Sequence, residues 1–313
     1  MRGLHSLTLL LHAGRPPAPH DLWTSWPADP IVYVGLAVAG SVYARGVHAA
    51  RQHAGGRAVI AGSRVAAMYA GLAALWLALL TPVDALGAAL FTAHMVQHLL
   101  LMIVAAPLIA AGLPALVFFW ALPCRARRSV ARWWVARTHA RRVVAICMMP
   151  VVAAVLHSLA LWLWHVPRLY DAAVTNAPLH LAEHATFFYT ALLFWWTVVA
   201  PQGHEPSTRR VRADVVAIVV VLLVAIQATA LGAILTLATE PWYDAHVVTT
   251  RVWGLTQLED QQLAGAIMWM PASIPYLAAL LVLAARQLRT TTGRDGSLAP
   301  RFIGRAGFRA RAK

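Results

Sequence analysis

Two histidine pairs at helical spacing are the residues of this sequence best suited to chemistry. His94 and His98 are four residues apart, and His180 and His184 repeat that spacing, with Glu183 between them. Residues four apart lie on one face of an α-helix, so each pair can direct two imidazoles at one point. Neutral imidazole is the commonest metal ligand and suits copper, zinc, iron and nickel. The spacing therefore predicts a metal site built from both pairs.

Neighbouring polar residues extend this prediction. His157 and His165 are eight residues apart and so lie within about 80° of each other around one helix. Met102 continues the face of His98, and a thioether favours Cu(I). The predicted ligands are His94, His98, His157, His180 and His184, and the predicted supporting or additional residues are Glu183, Asp260, Gln261, Met102 and His165. No catalytic residue is predicted.

Other interpretations of the same residues stay open. Buried histidines also join helices through hydrogen bonds, and Asp260 could complement the amino terminus of a helix. His165 precedes Val-Pro at a predicted helix end, where a polar residue is common. Haem suits the spacing less well than copper does, because ligands four residues apart converge on a small ion and not on opposite faces of a macrocycle. Zinc is the other alternative ion.

The segments that carry these residues are long and apolar. Of 313 residues, 60% are hydrophobic and 12% are charged, which excludes an ordinary soluble domain. A membrane span needs roughly 20 apolar residues in a helix. We predict an all-α bundle of about seven transmembrane helices, at 31–48, 64–82, 88–111, 143–164, 180–200, 214–238 and 258–285. An extracytoplasmic segment (1–29) precedes this transmembrane domain (30–286), and a basic, disordered tail (287–313) follows it.

The basic residues predict the orientation of this bundle. Most of the 26 Lys and Arg residues lie in alternate segments between the predicted spans, as the positive-inside rule requires. The amino terminus is then outside and the carboxyl terminus is in the cytoplasm. The net charge of +14 therefore reflects the orientation of the protein in the membrane. It predicts contact with anionic lipids but not with nucleic acid. In this orientation all the polar clusters fall near the outer face of the membrane.

The same residues resemble a known family, the multi-span CtaG proteins that assemble bacterial cytochrome c oxidase. The resemblance covers most of the chain and is carried by His94-Met-Val-Gln-His98, Leu163-Trp-His165-Val-Pro, Leu169-Tyr-Asp171, the stretch from His180 to His184, and Asp260-Gln-Gln-Leu-Ala-Gly265. It implies a multi-pass protein of the bacterial inner membrane whose partners are oxidase subunits and other copper chaperones. A single-span copper chaperone of the same name uses paired cysteines, which this chain lacks.

Three functions follow as hypotheses. The first is an assembly factor that binds copper on the histidines and delivers it to the oxidase, with Glu183 and Asp260 orienting the ligands. The second is a membrane hydrolase, with zinc on three histidines and one of those carboxylates as general base. The third is a metal or proton transporter, in which the polar residues form a relay.

Overall fold

A computed structural model of the chain describes residues 16–54, 60–199 and 207–295. These residues form helices α1 (Pro30–His53), α2 (Gly62–Leu79), α3 (Pro82–Gly87), α4 (Phe91–Ala111), α5 (Pro114–Ala121), α6 (Cys124–Ala136) and α7 (Thr138–Cys147). They continue as α8 (Pro150–Trp164), α9 (Pro167–Thr175), α10 (Ala177–Val199), α11 (Ser207–Thr236), α12 (Gln257–Trp269) and α13 (Ser273–Asp295). No strand occurs in the described ranges, so the predicted all-α class is confirmed.

Five stretches of the described chain are long and apolar enough to cross a membrane. They are α1, α2, α4, residues Ala213–Thr236 of α11, and Gln257–Arg289, which contains α12 and most of α13. A sixth results if α7 and α8, which are bent by 71°, count as one span. The predicted span at 180–200 lies almost entirely in α10. This helix is not among the five candidate spans, because the polar residues of its first half lower its mean hydropathy. The total of seven spans and the orientation of the termini stay predictions.

The predicted terminal segments lie partly beyond the described ranges. Residues 1–15 of the amino-terminal segment and 296–313 of the basic tail are outside them. Where the amino-terminal segment is described, Asp29 caps α1 by accepting hydrogen bonds from the backbone N–H groups of Ile31 and Val32, and Pro30 occupies the first turn. Local residues are therefore enough to start this helix.

Helix α4 is the centre of the bundle. It packs against α2, α3, α10 and α12. In α4, 67% of the apolar window is buried inside the protein, whereas the other candidate spans are 17–39% buried. Side chains on α4 therefore face protein on nearly every side, which is where polar groups in a membrane protein are placed.

The middle of α4 is wider than a regular α-helix. Residues Leu100–Ala105 form a π-helical stretch, and Pro107, which has no amide hydrogen, follows it. Trp195 of α10 donates from Nε1 to the Met102 carbonyl at 2.9 Å, so a side chain uses one of the backbone acceptors of this irregular stretch. The helix ends at Ala111, and Leu113 then takes a left-handed backbone conformation (φ 53°) that turns the chain into α5.

Two glycines let α11 and α12 approach closely. A Cβ atom on Gly265 would lie 2.6 Å from the Gly232 carbonyl and from Thr236, and one on Gly232 would lie 2.9 Å from the Gly265 carbonyl. Small residues of this kind allow helix backbones to meet in a membrane. The contact fixes α12, and α12 in turn positions the amino-terminal end of α4.

Candidate metal centre

Asp260 of α12 determines where the amino terminus of α4 lies. Its carboxylate accepts hydrogen bonds from the backbone N–H groups of Phe91 (2.7 Å) and Thr92 (3.0 Å), and the Thr92 hydroxyl donates to the Asp260 carbonyl. Residue Leu90 precedes α4 and offers no side-chain cap of its own. A carboxylate here satisfies free donors and complements the helix dipole. Asp260 thus orients the turn that carries His94, and it is not a member of the histidine group.

A second pair of hydrogen bonds holds the next turn of α4. Gln97 donates from Nε2 to the Asp84 carboxylate at 2.6 Å and to the Ala78 carbonyl at 2.9 Å. Both Gln97 and Asp84 are buried. Gln97 lies between the two histidines in sequence, and its side chain ties α4 to α3 and to the end of α2.

The structure brings His94, His98, His180 and His184 into one group. Within each pair the ring centroids are 4.3 Å (His94–His98) and 4.1 Å (His180–His184) apart. Between α4 and α10 they are 5.2 Å (His94–His180) and 5.1 Å (His98–His184) apart. Each residue offers one ring nitrogen such that all four nitrogens lie within 4.8 Å of one another.

This donor set fits a metal ion. Metal–nitrogen bonds of about 2.0 Å place two ligands at most about 4 Å apart, so small rotations of the side chains would close the group around an ion. His98 is 1% exposed, and within the described part of the chain neither of its ring nitrogens has a hydrogen-bond partner. A buried polar group without a partner is costly, and a bound cation would remove that cost.

Glu183 adds a carboxyl group to the histidines. Its carboxylate oxygens are 3.6 Å from Nε2 of His94 and 3.9 Å from Nε2 of His98, and the side chain is 1% exposed. Neither oxygen has a hydrogen-bond partner among the described residues. The carboxylate can therefore ligate an ion directly or compensate its charge from beside it.

An aromatic layer that we did not predict from the sequence covers one side of the histidines. The ring of Tyr170 lies edge-on to His94 at 5.1 Å between centroids, and its hydroxyl is hydrogen-bonded to Nε2 of His246 at 2.8 Å. Phe91 and Tyr243 pack against Tyr170 at 4.9 and 4.7 Å. Burial, with a smaller effect of nearby His94, lowers the pKa of His246 to about 4. The Tyr-Asp sequence at 170–171 is the feature of the sequence that could have indicated this layer, because both residues bind the loop after α11.

Asp171 and Gln261 hold that loop. The Asp171 carboxylate accepts hydrogen bonds from the backbone of Asp244 and Ala245, and Gln261 Oε1 accepts one from the Trp242 backbone at 2.7 Å. Gln261, predicted as a supporting residue, therefore acts on the cover of the site and not on the imidazoles.

His157, His165 and Met102 lie outside the four-histidine group. His157 is buried on α8, hydrogen-bonded to Thr190 at 3.2 Å and stacked on Phe194. His165 ends the same helix, with Nδ1 2.7 Å from the Leu161 carbonyl. These two histidines and Met102 line a small cavity that also contacts His98.

Comparisons with known proteins place most of the chain in one family. Residues 41–290 match a family model described as the cytochrome c oxidase caa3 assembly factor. An uncharacterized protein of Mycobacterium bovis and one of Mycobacterium tuberculosis are each 25% identical to the chain over 286 residues. That alignment covers 90% of this chain and 42% of each relative, so the chain spans less than half the length of these relatives. No solved structure matches the chain significantly.

Proposed function

Because the chain belongs to the family of cytochrome c oxidase caa3 assembly factors, we propose that it binds copper on its four histidines while the oxidase is assembled. The ion is cargo, and the protein acts through binding and release without a covalent step. The observation that carries the proposal is the convergence of imidazoles from α4 and α10 within 4.8 Å. The partner is an oxidase subunit in the bacterial inner membrane, with other copper chaperones as the source of the ion.

The charge of the group favours a monovalent ion. With an ion bound, Glu183 ionises, and the four neutral imidazoles and this carboxylate then carry a single negative charge, which Cu(I) neutralises. A divalent ion would leave one positive charge in a buried site, and an uncompensated buried charge is unfavourable. Imidazole ligands suit copper in either oxidation state, so the preference for Cu(I) rests on this balance of charge alone.

Release of the ion requires that one ligand be accessible from outside the bundle, and His180 is that ligand. His180 is partly exposed, whereas His94 and His98 are buried. It lies near the start of α10, where Asn176 accepts a hydrogen bond from the Leu179 backbone and begins the helix. An acceptor that approached this end of the bundle would replace His180 first and the deeper ligands later. In the predicted orientation this end faces the outer side of the membrane.

The first experiment measures copper bound to the purified full-length protein. His94→Gln with His184→Gln removes one ligand from each helix and keeps polar side chains of similar size. We expect the affinity for Cu(I) at this site to fall by more than about 100-fold, beyond what loss of a supporting residue usually causes. Competition with a chromophoric Cu(I) chelator measures the affinity, and oxidase activity in membranes of the producing cells reports the biological effect.

His20→Gln is the matched control, because the His20 side chain is 80% exposed. It should leave both copper binding and oxidase activity unchanged. Thermal unfolding of each purified variant shows whether the fold is retained. Equal copper affinity in the parent and in the folded double variant would reject the proposal.

The position of Glu183 favours one other function, a zinc hydrolase. A carboxylate beside three imidazoles is an arrangement in which zinc activates a water molecule. Metal analysis of protein purified without chelators separates the two functions. Stoichiometric zinc, with no copper after loading, would favour the hydrolase.

A further inference from the structure

A small cavity lies next to the four-histidine group and shares only His98 with it. Its volume is about 20 Å³, enough for a single water molecule or ion. The polar and sulfur-containing side chains around it come from α4, from α8 and its carboxyl end, and from α12 and α13. They are His98, Met95, Met102, His157, His165, Met268 and Tyr276.

The hydrogen bond of His165 determines which of its ring nitrogens is free to bind. Nδ1 lies 2.7 Å from the Leu161 carbonyl, and a carbonyl can only accept, so Nδ1 carries the hydrogen. In the neutral ring Nε2 then has a lone pair. That atom is buried and has no hydrogen-bond partner in the described part of the chain. Metal-binding histidines are typically oriented in this way, with the other ring nitrogen donating to a backbone carbonyl.

A hydroxyl group gives His157 the same tautomer, with the hydrogen on Nδ1. Its Nδ1 lies 3.2 Å from the Thr190 hydroxyl, which donates its single hydrogen to the Thr186 carbonyl at 2.7 Å. The hydroxyl must therefore accept from His157, so Nδ1 carries the hydrogen here too. Both histidines consequently offer Nε2 as an acceptor or ligand, and both line the cavity.

Three buried thioethers also line the cavity. Met95, Met102 and Met268 are 1%, 4% and 5% exposed. Thioether sulfur is a soft ligand that prefers Cu(I) to harder ions. No Asp or Glu lines the cavity, so a divalent ion would leave two uncompensated positive charges there, whereas Cu(I) leaves one.

We propose that this cavity is a second metal site, which binds Cu(I) through Nε2 of His157 and His165 and through the surrounding thioethers. The site differs from the four-histidine group in its sulfur ligands and in its lack of a carboxylate. His98 lines the cavity and also belongs to the first group, so one imidazole contacts both positions. An ion can therefore exchange between the two sites by replacing ligands one at a time around His98.

The two proposals depend on each other only in part. The claim that copper is the natural ion rests on the proposed function. The claim that the cavity binds a soft monovalent ion rests on the cavity alone. It can be tested with Ag(I), which has the same charge as Cu(I), shares its preference for sulfur and has no redox chemistry under these conditions.

The test uses full-length purified protein loaded anaerobically with Cu(I) and, separately, with Ag(I). Stoichiometry is measured by metal analysis, and X-ray absorption at the copper edge identifies nitrogen and sulfur ligands. We expect two Cu(I) per parent protein, with sulfur in the coordination shell. Met102→Leu with Met268→Leu should keep one Cu(I), bound by nitrogen alone, because leucine retains the volume of the side chain but not the thioether. The same variant should lose one Ag(I).

Met68→Leu is the matched control, since Met68 is 2% exposed on α2 and away from the cavity. It should retain both ions and the sulfur signal. His94→Gln with His184→Gln should lose the nitrogen-only ion and keep the sulfur-ligated one, so failure of the first site is distinguishable from failure of the second. A parent protein without sulfur ligation, or a folded methionine variant that binds the same number of ions, would overturn this inference.

Discussion

At the scale of single residues, the buried polar groups fall into two classes. Asp260, Gln97 and Gln261 have all or most of their hydrogen bonds satisfied by neighbouring backbone and side chains, and so they position helices and loops. His98 and Glu183 are equally buried, but within the described chain they have no hydrogen-bond partners. Buried polar atoms are nearly always satisfied in stable proteins, so exceptions indicate a ligand.

The pH dependence of stability is a residue-scale prediction for His246. Its pKa is lowered to about 4 in the folded protein, whereas the ordinary value is 6.5. Above pH 6.5 the ring is neutral in both the folded and the unfolded protein, so its burial contributes fully to the free energy of unfolding. As the pH falls from 6.5 to 4, only the unfolded chain takes up the proton, so stability is lost, by up to about 3 kcal/mol.

We therefore expect His246→Gln to lose less stability than the parent over that pH range. The measurement is the midpoint of thermal unfolding in detergent at pH 7, 6, 5 and 4. His20→Gln serves as the control, since an exposed ring should not change the pH profile. Parallel profiles for the parent and His246→Gln would contradict the prediction.

At the scale of elements, the amino terminus of α4 depends on a residue from another helix. Asp260 caps α4 from α12, and it is 169 and 168 positions away from the two residues it binds. By contrast α12 has a local cap, in which Thr256 and Glu259 bond each other's backbone. The local cap is visible in the sequence, and the remote cap is a consequence of packing.

Asp260→Asn tests this remote cap. The amide keeps one acceptor but turns a donor toward the second N–H group and removes the charge, so we expect a loss of roughly 1–3 kcal/mol in stability. Thermal unfolding measures the loss. Asp244→Asn, at an exposed carboxylate in the loop after α11, should have little effect. A variant as stable as the parent would show that the carboxylate is not needed to hold α4.

At the scale of the whole molecule, the arrangement of apolar and polar surface is that of a membrane protein. Large apolar side chains are exposed along α1 and α11, including Ile31, Val34, Val219 and Leu223. The polar side chains of the site, among them His94, His98 and Glu183, are enclosed. The segment that contains α6 and α7 carries seven arginines and separates α5 from α8. The positive-inside rule predicts that this segment lies in the cytoplasm.

The orientation can be tested with the two cysteines of the chain. Cys147→Ser leaves Cys124, which is exposed at the start of α6. In intact spheroplasts we expect a membrane-impermeant maleimide to leave Cys124 unlabelled, and in inverted vesicles to label it. A cysteine-free variant with His20→Cys should show the opposite result. Labelling of Cys124 from outside would invert the topology and place the histidine site on the cytoplasmic side.

Much of the architecture and part of the site were predictable from local sequence. The helices around His94, His157 and His180 follow from long apolar runs, and the family follows from short motifs within them. The polar residues of those motifs were harder to interpret. Asp260 and Gln261 were predicted as supporting or additional residues, and the groups that they bind are backbone N–H groups of other segments. His246, which is set apart in sequence from the predicted ligands, lies in the cover of the site.

The sequence by itself determined which residues share a helix face, since four-residue spacing places His94 with His98 and His180 with His184 whatever the rest of the chain does. It also determined that α4, which carries the first pair, is apolar enough to cross a membrane. Only the tertiary structure decided that α4 and α10 bring their pairs together and that His157 and His165 face a separate cavity with methionines. The reason is physical: spacing within a helix is set by its own backbone hydrogen bonds, whereas neighbours between helices are set by packing among residues far apart in the chain.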